Sequence, residues 1–182
     1  MFDYYSVWSS TVGPWSEGTD VGAGSDASHI KEFTVGTTVY ILSDCVISLN
    51  EDCHDMLSGK SDITEIVFGN GAIDTHKVTN FQYAFNACSG LTTLDLSDFD
   101  TKSVNNFAHM FNSCSNLETI KVSDKWECGK RIPNTNGEHS NVFGGCNKLV
   151  GGNGTTFNDS HKGASYAHVD GNGGNPGYFT LK

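Results

Sequence analysis

A 26-residue repeat limits the architectures that this chain can adopt. Residues 78–103 and the segment that begins at residue 104 carry closely matching residues in one register. The matched pairs are Val78/Val104, Asn80/Asn106, Phe81/Phe107, Phe85/Phe111, Cys88/Cys114, Leu91/Leu117, Leu94/Ile120 and Leu96/Val122. A fixed period of this length indicates a repeat protein, in which each unit buries its apolar side only against its neighbours. We therefore expect a stack of short coils.

Weaker copies of the repeat flank the two clear ones. Downstream, the Phe-x-x-Cys-x-x-Leu spacing recurs at an offset of 32 residues, in Phe143, Cys146 and Leu149. The longer offset fits an insertion in the Gly/Asn-rich stretch 129–140. Upstream, the apolar pattern recurs at an offset of 28 residues, in Leu57, Ile63, Ile66 and Phe68. About four coils are predicted, with degraded outer ones because terminal repeats must present a polar outer face.

Each coil is predicted to contain one short helix and one strand. Val78, Phe81, Phe85 and Cys88 have the spacing of one helical stripe. The following LTTLDLS alternates, which places Leu94 on the buried side of a strand, and SDFDT then turns the chain with Phe99 inward. One strand and one short helix per repeat is a leucine-rich-repeat unit. The predicted fold is therefore α/β, a short solenoid of stacked parallel strands about 4.8 Å apart, with short helices on the other side.

The repeat resembles that of BspA-like leucine-rich-repeat surface proteins of bacteria. The residues that carry the resemblance are CSGLTTLDLSDFDTKSVNNFAHMFNSCSNL, with Phe81 and Phe107 where the family has Met. The tail from Leu149, LVGGNGTTFNDSHKGASYAHVDGNGGNPGYFTLK, is similar to the closing module of that family. The resemblance implies a non-enzymatic binding or adhesion protein, on the cell surface or secreted. Its partner would be a protein or glycan on a host or neighbouring cell.

Three regions are predicted along the chain: an N-terminal cap over 1–48, the repeats over 49–150 and a Gly-rich C-terminal cap over 151–182. Residues 30–42 alternate around Gly36-Thr37, which predicts a β-hairpin that pairs with or covers the first coil. The first 15 residues are rich in aromatic side chains, namely Phe2, Tyr4, Tyr5, Trp8 and Trp15. These rings either close the open end of the stack or form a contact surface, including one for self-association.

The charge of the chain argues against nucleic acid as a partner. The chain carries 21 Asp and Glu against 11 Lys and Arg, a formal charge of -10. Phosphate recognition requires clustered cations, and Arg131 is the single arginine. An anionic membrane surface is disfavoured as a partner for the same reason. The sequence has no apolar run of about 18 residues, so insertion into a membrane is not predicted. Residues 1–10 lack the pattern of a signal peptide.

Six cysteines invite a disulfide interpretation, which the repeat opposes for three of them. Cys88, Cys114 and Cys146 occupy one structural position in successive coils. Adjacent helices lie about 8–10 Å apart, whereas a disulfide needs Cα atoms within about 7 Å. These thiols are therefore expected to be small buried apolar groups. The sequence leaves two disulfides possible, Cys45–Cys53 and Cys128–Cys146.

No motif predicts an enzyme, a cofactor or a metal site. Cys53 and His54 are adjacent, so their side chains diverge on a strand or a helix. The pair Asp98 and Asp100 lies in a predicted turn, where Asp is favoured for local hydrogen bonds. The segment 151–159 resembles half of a calcium-binding repeat, but Thr156 stands where the ligand Asp belongs and the motif occurs once.

The outward face of the strands is the candidate binding surface. Its residues are Glu65, Thr93, Asp95, Ser97, Thr119, Lys121 and Ser123. Short polar side chains on a rigid scaffold bind a protein or glycan with little reorganisation. An equal alternative is that they only keep exposed strands soluble. The second functional hypothesis is a structural subunit of a larger assembly, such as a virion, fibre or surface appendage.

Overall fold

The computed structural model describes residues 19–20, 30–43, 46–68, 73–128 and 141–182 of the 182-residue chain. Three sequence predictions fall outside these residues. They concern the aromatic side chains of the first 15 residues, the thiol of Cys45 and the insertion at 129–140.

The described residues form a mixed fold dominated by one mostly parallel sheet. The strands are β1 Thr19–Asp20, β2 Ile30–Val35, β3 Thr38–Ser43, β4 Ile47–Ser48, β5 Glu65–Phe68, β6 Ile73–Asp74, β7 Thr93–Asp95, β8 Thr119–Val122 and β9 Phe179–Leu181. The main sheet has the order β1-β2-β3-β5-β7-β8-β9, and β4 pairs with β6 in a second sheet. The 3-10 helices of the described part are Asp159–His161, Ala164–Tyr166 and Asn172–Gly174.

The predicted β-hairpin is confirmed. Strands β2 and β3 pair antiparallel, from Ile30↔Ser43 to Val35↔Thr38. Gly36 in the connecting loop has φ +61°, a conformation that glycine adopts without steric penalty. Strand β3 then pairs in parallel with β5, so the hairpin extends the sheet of the repeats as expected.

The predicted vertical alignment of residues 26 apart is also confirmed. Strands β7 and β8 pair in parallel with Leu94 opposite Ile120. On the other side of the core, the rings of Phe85 and Phe111 stack at 5.8 Å with an interplanar angle of 8°. Phe143 continues this column, 5.7 Å from Phe111. These three rings form a column in which equivalent positions of the repeat pack on one another.

The predicted short helices are wrong, because the segments that carry the apolar stripe fold as consecutive turns. Tyr83 and Ala87 have φ +57°, which an α-helix does not allow. Alternate N–H groups donate to the next coil, as from Tyr83 to the carbonyl of Ala108 at 3.0 Å. The N–H groups between them donate three residues back, as from Ala84 to Phe81 at 3.1 Å. The Asn- and Ser-rich sequence has weak helix propensity, so hydrogen bonds between coils prevail over bonds within a helix.

Two buried threonines fasten neighbouring coils by the same contact. Thr75 Oγ1 donates to the carbonyl of Asp100 at 2.8 Å and accepts from its N–H at 2.7 Å. Thr101, 26 residues later, makes the equivalent pair of bonds with Glu127 at 3.2 and 2.7 Å. Both side chains are almost completely buried. A buried hydroxyl needs such partners, and this explains the threonine that ends SDFDT.

The repeated cysteines are buried free thiols, as predicted, although they lie in turns and not in helices. Cys114 donates to the carbonyl of Phe85 at 3.1 Å, and Cys146 donates to that of Phe111 at 3.0 Å. Burial raises the pKa of Cys146 to about 12, so its thiol stays protonated. Cys53 and Cys128 are free as well, so neither of the two bridges left open by the sequence forms.

Candidate functional site

The structure brings the predicted strand-face residues together in two registered rows. Glu65 pairs with Thr93, and Thr93 pairs with Thr119. The second row places Asp95 opposite Lys121 in the neighbouring strand. The residues between the rows, such as Leu94, are fully buried, so the row residues face outward. Ser97, two residues after β7, and Ser123, directly after β8, extend the same side.

The strand face also includes residues that sequence reasoning missed. Thr38 in β3 donates to Glu65 Oε2 at 3.3 Å, so the hairpin continues the first row. Thr180 in β9 lies opposite Lys121, so the closing segment continues the second row. Neither strand carries the repeat pattern. The strand pairing alone shows that these residues belong to the face.

An ion pair crosses the strand face. Lys182 Nζ donates to Asp95 Oδ2 at 2.8 Å, and the backbone N–H of Ser97 donates to Asp95 Oδ1 at 3.0 Å. Burial raises the pKa of Asp95, but the bonds from Lys182 and Ser97 outweigh it and hold the pKa below its ordinary value. The carboxylate is therefore ionised near neutral pH, and the face displays charges of both signs.

Cys53 and His54 do not form a nucleophile–base couple. Cys53 is buried, and its thiol donates to the carbonyl of Asn50 at 3.3 Å. Burial and the nearby Asp52 raise the pKa of Cys53 to about 11. The exposed ring of His54 instead lies 3.1 Å from Asp52 Oδ1. A buried thiol that stays protonated is a weak nucleophile.

A buried carboxylate organises the C-terminal Gly-rich segment. Asp170 accepts hydrogen bonds from the N–H of Asn153, from the N–H and hydroxyl of Thr155 and from the N–H of Gly177, at 2.6–3.2 Å. Burial raises its pKa, but these bonds outweigh burial and lower the pKa to about 2. A Cβ on Gly151 would lie 2.6 Å from Asp170 Oδ2, which explains that glycine.

The Asp170 carboxylate is thus satisfied by donors of Asn153 and Thr155, in the segment that resembled a calcium repeat, and by the N–H of Gly177. Thr156 of that segment forms an isolated bridge that pairs it with Val150. In the residues that the structure describes, no group of three or more His, Cys, Asp and Glu side chains is placed to hold a metal ion.

The turn side of the coils carries a stacked pair of rings. Tyr83 and His109, at equivalent positions of adjacent coils, lie 4.8 Å apart with an interplanar angle of 13°. Both are partly exposed. Amide side chains link coils nearby, as from Asn112 to Asn86 Oδ1 at 3.0 Å. Sequence reasoning did not identify this surface.

The comparisons with known proteins give one match. A family model described as "Mycoplasma protein of unknown function, DUF285" matches residues 42–149, which is more than half of the chain and contains β5 to β8. No curated protein and no solved structure matches the chain. Among the described residues, no helix has the length and apolar character needed to cross a membrane. The chain belongs to the family of Mycoplasma proteins of unknown function, DUF285.

Proposed function

We propose that this chain is a non-enzymatic binding or adhesion module, built as a short leucine-rich-repeat solenoid of the BspA-like surface type. It recognises a protein or glycan partner at the cell surface through its strand face. The observation that carries this proposal is the pair of registered polar rows on that face, Glu65–Thr93–Thr119 and Asp95–Lys121.

The solenoid architecture is supported by backbone bonding on both sides of the core. On the strand side, residues 26 apart pair in parallel, as Leu94 does with Ile120. On the turn side, the N–H of Phe85 donates to Met110 and that of Phe111 donates to Val142, each at 2.9 Å. Two such ladders join each coil to the next, which is the nearest-neighbour contact pattern of repeat proteins.

Recognition is supported by the side-chain hydrogen bonds and the mixed charge of the strand face. Its side chains are held by neighbours, as Glu65 is by Thr38 and Asp95 is by Lys182. Side chains that are already ordered lose little entropy when a partner binds. Charges of both signs in a fixed arrangement favour one complementary partner over others.

A non-enzymatic role is supported by the local engagement of the candidate catalytic groups. The thiol of Cys53 is buried, and the ring of His54 pairs with Asp52. Asp100 Oδ1 accepts the N–H of Lys102 at 3.1 Å, a turn contact of the kind Asp favours. These groups are engaged in local contacts, which supports a non-enzymatic role for them.

The test is a binding screen of the folded chain against host matrix proteins and glycans, followed by charge reversal on the strand face. We expect Asp95→Lys and Lys121→Glu each to weaken binding by about tenfold or more. Matched controls are Asp124→Lys and Lys125→Glu, which reverse exposed charges in the turn after β8. These controls should leave binding unchanged.

Two results would count against this function. One is the absence of any partner in the screen, and the other is equal binding by the strand-face and control variants. If the chain instead assembles into large particles in light scattering and binds nothing else, the structural-subunit hypothesis replaces the recognition module.

A further inference from the structure

The stacked rings on the turn side are held in a backbone conformation that disfavours them. Tyr83 has φ +57° and His109 has φ +56°. A bulky side chain at positive φ is strained. The same position holds Asp55 in the preceding coil and Asn141 in the following one, with φ +55° and +57°. Asp and Asn tolerate this conformation better than other residues do. Rings occur at this position only in the two inner coils of the described chain, as Tyr83 and His109.

Strained residues tend to occur at sites that bind ligands. Ala87 and Ser113 also have positive φ, four residues after each ring. The turn conformation itself is therefore a property of the repeat, and rings are not needed to produce it. What requires explanation is the choice of Tyr83 and His109 over the Asp or Asn of the outer coils.

Tyr83 is partly exposed, and one face of its ring carries no second ring among the described residues; we call it the open face. His109 covers the face that looks toward the following coil, because the rings are nearly parallel and 4.8 Å apart. The opposite face looks toward the preceding coil, where Asp55 takes the equivalent position and its short side chain cannot cover a phenol ring. Within the described residues, His109 is the only ring in contact with Tyr83.

The chemistry around the open ring face suits a neutral sugar. An aromatic face is electron-rich and attracts the C–H groups on one side of a pyranose ring. The exposed carboxylate of Asp55 supplies acceptors for sugar hydroxyl groups. Asp52, three residues earlier, adds a second exposed carboxylate that accepts from Asn80 at 2.8 Å, and the whole chain carries -10. Sialylated or sulfated sugars would be repelled by this field.

We propose that the open face of Tyr83, bordered by Asp55, binds a residue of a neutral saccharide. This site lies in the turns and is separate from the strand face, so the two can be tested independently. His109 acts as a positioning residue that backs the Tyr83 ring.

The test uses an array of neutral oligosaccharides ending in glucose, galactose or N-acetylglucosamine, beside sialylated and sulfated glycans, followed by titration with the best neutral glycan. Tyr83→Asn removes the ring. Asparagine is compatible with the positive φ of this position, because Asn141 adopts the same conformation at the equivalent position. We expect this variant to bind about tenfold more weakly. Tyr83→Phe keeps the ring and should keep most of the affinity.

Asp55→Asn is the second variant and also suits positive φ. It should weaken neutral-glycan binding several-fold because the charge-assisted hydrogen bonds are lost. If a thermal melt shows that Tyr83→Asn is unfolded, the affinity of Asp55→Asn tests the proposal instead. Asp124→Lys, in the turn after β8, should have no effect on this binding.

Three results would overturn the proposal. They are an array on which the chain binds no neutral glycan, binding of anionic glycans alone, and unchanged affinity in both Tyr83→Asn and Asp55→Asn. A loss in Tyr83→Phe equal to that in Tyr83→Asn would also overturn it, because the ring would then not be the binding element.

Discussion

The repeat coils and the C-terminal segment are ordered by different means. In the coils, equivalent apolar side chains stack in columns, as Phe85, Phe111 and Phe143 do. Order there is distributed over many similar contacts. In the segment after Leu149, one carboxylate, that of Asp170, collects backbone donors from two loops. The comparison leads us to expect that the periodic region spreads its stability over many equivalent contacts, whereas the loops of the C-terminal segment rely strongly on Asp170.

The largest effect is expected in the central aromatic column. Phe111 is fully buried and contacts the rings of Phe85, Phe143 and Phe179. Phe111→Ala should lower the free energy of unfolding by about 3–5 kcal/mol, because it removes buried area and leaves a cavity. Urea denaturation measures this loss. The matched control is Phe157→Ala, a partly buried ring in the C-terminal segment, and an equal loss there would break the comparison.

Replacement of the buried carboxylate should have the next largest effect. Asp170→Asn keeps the shape but turns an NH2 group or a neutral oxygen toward the N–H donors of Asn153, Thr155 and Gly177. We expect a loss of about 2–3 kcal/mol. Amide hydrogen exchange should increase at residues 151–155 and 177 and stay slow in the coils. Faster exchange throughout the coils would contradict a role restricted to this segment.

The stabilising effect of Asp170 should depend on pH. Its pKa is about 2 in the folded chain, below its ordinary 3.8. The unfolded chain therefore takes up the proton first, so the contribution is complete above about pH 4 and disappears as the pH falls toward about 2. The stability difference between the wild type and Asp170→Asn should shrink over this range. A constant difference down to about pH 2 would show that the charge is not responsible.

A smaller effect is expected where a polar contact is repeated between coils. Thr101→Val keeps the shape and leaves the N–H and carbonyl of Glu127 without their hydroxyl partner. The expected loss is about 1–2 kcal/mol. Thr75→Val, which removes the same contact with Asp100, should give a similar value. Thermal denaturation of both variants tests whether the repeat distributes stability evenly, and clearly unequal losses would argue against this.

The smallest effect should come from the ion pair between the two regions. Lys182→Ala removes the contact with the exposed Asp95 carboxylate. Surface pairs contribute about 0–1 kcal/mol and are screened by salt. The variant should unfold within this margin of the wild type, and the difference should vanish at high salt. A larger, salt-independent loss would indicate that Lys182 packs as well as pairs.

Period and alternation in the sequence were enough to predict most of the repeat region. The hairpin around Gly36, the pairing of Leu94 with Ile120 and the buried free thiols are confirmed. The family model covers the same region. The helix prediction was wrong because the same apolar spacing also fits consecutive turns, and only hydrogen bonds to the next coil distinguish the two. The functional role of the strand face stays a prediction.

Periodicity was sufficient to predict which residues of the repeats pack on one another, because residues 26 apart, such as Phe85 and Phe111, repeat one environment. The contacts of Asp170 with Gly177, of Lys182 with Asp95 and of Tyr83 with His109 required coordinates. The first two contacts join segments that are not related by the repeat. The third contact depends on a positive-φ backbone conformation that cannot be predicted from the residue types. Spacing predicts neighbours only where the chain repeats, and elsewhere the packed structure selects them.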